Sequence, residues 1–127
     1  MSRLSLTLGA FAALIGLSGV ALAAIGAHGG GGGLAETGAF FLIVHAAALL
    51  GLVGAANAVA HQASRRALLI SGFGLGCAVS LFSGDLAARA LAGGRLFPFA
   101  APIGGTAMMF FWVCLAAIFA TSAMRRE

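Results

Sequence analysis

The chain has 127 residues, 61% of them hydrophobic and only 8% charged, with a mean hydropathy of +1.10. A water-soluble domain of this length needs far more charge to cover its surface, so the apolar side chains must face lipid or other protein. The formal charge of +4 comes from seven arginines scattered over loops and ends, which make no basic patch, so nucleic acid is excluded as a partner.

A membrane-crossing helix needs roughly 20 mostly apolar residues. Four segments supply them: 4–27, 39–59, 67–91 and 102–123. The expected fold is therefore all-α, a single membrane domain over 1–127. Short connections make successive helices antiparallel, as in an up-down four-helix bundle.

The first segment carries small residues at Gly9, Ala12, Gly16, Gly19, Ala23 and Gly26, alternately three and four apart. Lipid tails are as apolar as leucine, so helices in a bilayer associate through close backbone approach, which such a seam permits. Arg3 and the small residues of "ALAA" (21–24) also fit a cleaved signal peptide, but the apolar run from Leu4 to Ala27 is long for one. His28 ends the segment. The run Gly29–Gly33 reads as a flexible connector. It lacks the Lys and Ser/Thr of a phosphate-binding P-loop, and no strand precedes it.

The second segment places His45 a turn or two from its start, close to Phe40 and Phe41. The third has a small face of Gly72, Gly76, Ser80, Ser83, Ala87 and Ala90, with a further small-xxx-small pair at Ser80 and Gly84. Asp85 lies about 160° from Ser83 around the helix, nearly opposite that face, with Arg89 one turn further on. Charges are expensive in hydrocarbon. Acid before base at this spacing favours an ion pair, and a cation suits a helix C-terminus. Such a pair needs a neighbouring helix, another protein, or an Arg89 that snorkels to the headgroups. Pro102, Gly104 and Gly105 open the fourth segment, and Trp112 with the "MMFFW" cluster reads as apolar bulk. Cys77 and Cys114 lack the CxxC spacing of a redox pair and read as small fillers.

If the four segments alternate, Arg3, Arg65, Arg66, Arg125 and Arg126 share one side of the membrane. The positive-inside rule places both termini in the cytoplasm and the "GGGGG" and "GGRLFPF" loops outside. His28, His45, Asp85 and Arg89 then gather in the outer half, as structural or partner contacts. Paired histidines could hold haem iron, with His28 and His45 the candidates. A quinone could use His45 and Asp85 between Phe40, Phe41 and Phe82. A zinc site needs three or four ligands, so no metal is expected. The glycine and alanine seams favour tight packing over a cofactor cavity. No hydrolytic triad, metalloprotease motif or carboxylate pair is present, so the expectation is not an enzyme.

"GAHG" (26–29), "HAAALL" (45–50), "LFSG" (81–84) and "PIGG" (102–105), in that order and with a tryptophan in the fourth segment, resemble the small membrane proteins called domain of unknown function 423. That family is related to the eukaryotic transmembrane protein 256. The resemblance implies a four-helix protein of the bacterial inner membrane with no established reaction, its recurrent histidines falling on His28 and His45. The chain departs from the family where Asp85 and "LAAR" follow "FSG", and in its glycine connector. The functional expectation is an accessory or assembly subunit bound in the bilayer to other membrane subunits. A redox protein or a homo-oligomeric transporter stands as the alternative.

Overall fold

The structure is a computed structural model that describes residues 1–29 and 32–125. Four helices follow one another: α1 (Arg3–Ala27), α2 (Gly33–Ala58), α3 (Gln62–Ala92) and α4 (Ala100–Met124). Each is long and apolar enough to cross a membrane. At 1.5 Å per residue even the shortest reaches roughly 37 Å, beyond the hydrocarbon thickness of about 30 Å.

Two helices start earlier than hydropathy suggests, α2 at Gly33 instead of 39 and α3 at Gln62 instead of 67. Backbone hydrogen bonds set a helix end, and a helix runs on into the headgroup zone where polar residues cost nothing. Thr37 Oγ1 donates to the Gly33 carbonyl, and Glu36 sits in the first turn, where the helix dipole favours an acid. At the start of α3 the Arg65 guanidinium donates to the Val59 carbonyl, tying the α2–α3 connection to the helix it opens.

The glycine run is only in part a connector, because Gly33 is already helical. Gly29 and Gly32 have φ of 95° and 57°, a region open to glycine without strain, while Gly30 and Gly31 lie outside the described residues. Gly93 closes α3 in the same left-handed region, at φ 73°.

The packing is less symmetrical than an even four-helix bundle. α1, α2 and α3 contact one another, whereas among the described residues the α4 backbone meets α3 alone. Half of the apolar window of α3 is buried but only 17% of that of α4, so α3 is the axis and α4 an outrigger. The core is filled by Leu8, Leu49, Leu68, Leu69, Leu75 and Val79. Phe11 stacks on Phe73 at 6.0 Å between ring centroids.

Most of the expected small-residue contacts exist. A Cβ on Gly19 would come within 2.9 Å of Leu42 Cβ, and one on Gly26 within 3.3 Å of Ala35 Cβ. Gly16 faces Ala46, so the α1 seam is the α1–α2 interface. Gly72 receives Leu8 and Leu52, and Gly76 receives Phe11. Gly9 is a correction: a Cβ there would meet nothing, since it lies to one side of the contact line. Gly84 meets a loop side chain, Leu96, at 3.6 Å rather than a helix. Among the described glycines, Gly104 comes closest to another helix's backbone: a Cβ there would lie 2.7 Å from Phe82 N and 2.9 Å from Ala78 O.

Candidate functional site

Two buried polar centres, one on α2 and one on α3, are built differently. The first is His45. With α2 beginning at Gly33, His45 lies about three turns in, roughly 18 Å along the helix. That is midway along α2, and about two turns beyond residue 39, where the apolar run begins. Its Nδ1–H donates to the Phe41 carbonyl at 2.8 Å, and its Nε2 accepts from the Trp112 indole N–H at 3.3 Å. The two partners fix one neutral tautomer. Phe41 stacks on the imidazole and also packs against Phe82, at 4.8 Å between centroids. Trp112 is thus more than bulk: it joins α4 to α2 across the face of α3.

Because both ring nitrogens are engaged within the chain, His45 offers no lone pair to haem iron. His28 is exposed at the C-cap of α1, about three turns away in depth. The geometry does not bring the two histidines together. No group of three or more His, Cys, Asp or Glu able to hold a metal occurs among the described residues. Phe40 is 62% exposed and forms no wall, and the cleft at Asp85 does not include His45, so the residues expected to share a quinone are separated.

The second centre is Asp85, only 1% exposed although it lies off the small face of α3. The covering comes from this chain's own α4 and the α3–α4 connection. Asp85 Oδ1 accepts the Leu96 backbone N–H at 2.9 Å, clasping the connection onto the helix. The expected Asp85–Arg89 ion pair does not form. The carboxylate turns to a loop amide that helix spacing does not foresee, and Oδ2 is left buried without a partner. Arg89 and Arg95 instead line the same cleft, of about 510 Å³, together with Phe82, Pro102, Thr106 and Met109. The connection ends at Phe99, whose φ of 66° is left-handed, a conformation costing a non-glycine residue about 1–2 kcal/mol. It is held by Ala100 N–H to Phe97 O and Ile103 N–H to Phe99 O.

The family described as Protein of unknown function (DUF423) matches residues 22–105, well over half of the chain. The chain belongs to the DUF423 family. The match takes in all four ordered motifs, with His45, Asp85 and both cleft arginines, and leaves out most of α1 and Trp112. Comparison with curated proteins and with solved structures gives no match. The protein is thus a multi-pass membrane member of DUF423.

Sequence reasoning missed one polar bridge at the other end of the molecule. Ser5, fully buried, donates to Asn57 Oδ1 at 3.1 Å, and Asn57 Nδ2 donates to the Val53 carbonyl. A lone asparagine in an apolar helix was the available signal, since such a group seeks an interhelical partner. Cys77 and Cys114 are free thiols, the first exposed and the second half-buried.

Proposed function

We propose that this DUF423 protein is a non-enzymatic accessory subunit of a bacterial inner membrane. Both termini lie in the cytoplasm, and the chain packs against a larger membrane complex such as an energy-transducing one. The supporting observation is the attachment of α4. It buries one stripe (Ala100, Ala101, Gly104, Met108, Leu115 and Ser122) and leaves Met109, Phe110, Val113 and Phe119 outward. A helix held along one line presents a broad apolar ridge that a neighbouring membrane subunit can cover by van der Waals packing.

Photo-crosslinking residues placed in native membranes at Phe110 and Val113, with Leu17 of α1 for comparison, test the reading. The expected result is one recurrent protein adduct from both α4 positions and none from Leu17. No protein adduct from α4, together with a clean monomer in mild detergent, overturns it. A topology reporter on the C-terminus that is active only on the cytoplasmic side checks the orientation. The redox alternative predicts a Soret band, which the closed bonding of His45 argues against. The transporter alternative predicts that Asp85→Asn abolishes a flux.

A further inference from the structure

We propose that the Asp85 cleft binds the headgroup of a phospholipid carrying a primary amine, with phosphate on the arginines and ammonium on the carboxylate. Three observations meet at this place. Asp85, which lines the cleft, is 1% exposed, and its buried Oδ2 has no partner in the protein. A buried carboxylate oxygen without a donor is costly, and a cation that donates hydrogen bonds removes the cost. Arg89 and Arg95 line the same cleft, and guanidinium groups match phosphate oxygens in pairs of hydrogen bonds. The two signs in one cleft fit a zwitterion better than an anion, which Asp85 repels, or a lone cation, which the arginines repel.

The third observation says what the zwitterion is attached to. The cleft shares Pro102 and Thr106 with a second, apolar groove of about 630 Å³ along α4, lined also by Phe99, Ile103, Ala107 and Phe110. A charged cleft beside an apolar groove on a membrane helix has the form of an amphiphile, headgroup and then acyl chain. The cleft itself, about 510 Å³, falls in the size range of small-ligand sites. A choline headgroup satisfies Oδ2 less well, because a quaternary ammonium has no N–H to donate. The site shares Met109 and Phe110 with the outward face of α4 but needs no protein partner to form.

Native mass spectrometry of the full chain released from detergent micelles reads the site directly. The probes are phosphatidylethanolamine, phosphatidylcholine and phosphatidylglycerol of matched chains, and soluble phosphoethanolamine as competitor. The expected result is retention of the ethanolamine lipid about tenfold over the other two, the scale of one charge-assisted hydrogen bond. Asp85→Asn keeps an oxygen for the Leu96 amide and should erase the preference over the choline lipid while the melting temperature holds. Arg95→Gln, in an exposed connection, should weaken the ethanolamine and choline lipids alike. Equal retention of all three lipids, or preference for the glycerol lipid, overturns the proposal. Displacement of the lipid by soluble phosphoethanolamine at equal concentration also overturns it, because the acyl groove would then contribute nothing.

Discussion

His45 and Asp85 are both buried polar residues in apolar helices, yet one is closed and the other open. His45 has one nitrogen on the Phe41 carbonyl and the other on the Trp112 indole, so nothing is left over. Asp85 uses one oxygen on the Leu96 amide and leaves the second bare. In a medium without water, a closed group serves architecture and an open one is an invitation. The contrast separates what holds this molecule together from what can receive something else.

The sharpest break in that comparison comes from the frame that supports both centres. At Gly104 a Cβ would strike the backbone of α3, which cannot move aside as a flexible side chain does. Gly104→Val is expected to undock α4, with a loss of at least about 3 kcal/mol in steric-trapping or thermal measurements. It should also break the His45–Trp112 bond, read as a shift in Trp112 fluorescence. Gly105→Ala, whose Cβ would rest 3.8 Å from the Phe82 ring, should be neutral or slightly stabilising.

Next in size is His45→Ala, expected to cost about 1–2 kcal/mol, while Trp112→Phe costs about 0.6 kcal/mol. A double-mutant cycle should give a coupling close to the Trp112→Phe value; additive effects would mean the bond carries no energy. Asp85→Ala should cost about 1 kcal/mol, the scale of one hydrogen bond, through the loss of the Leu96 clasp. Hydrogen exchange should speed up at Leu96 and leave His45 untouched. Ser5→Ala should likewise cost only about 0.6 kcal/mol, seen as fraying of the first turn of α1.

The sequence carried the spans well, because length and apolarity alone fix them, and the seam of Gly16, Gly19 and Gly26 was legible from its spacing. Gly9 shows the limit: periodicity identifies a stripe but not which of its members face the partner. Asp85 shows another. Helix geometry proposes Arg89 as its partner because both lie on one element, whereas the Leu96 amide arrives from a connection that no period describes. Trp112 read as bulk because its indole proton matters only once α4 is laid against α3 and reaches α2. The asymmetry of the bundle was hidden too, since four similar apolar runs give no hint that the backbone of one of them packs against a single neighbour.

That lopsided arrangement has a consequence for biogenesis. The ribosome delivers α1, α2 and α3, which contact one another, before α4, so they can settle as a trio before α4 is synthesised. The last span then joins a platform already in place, and a chain stopped before it should still insert and keep its first three members together.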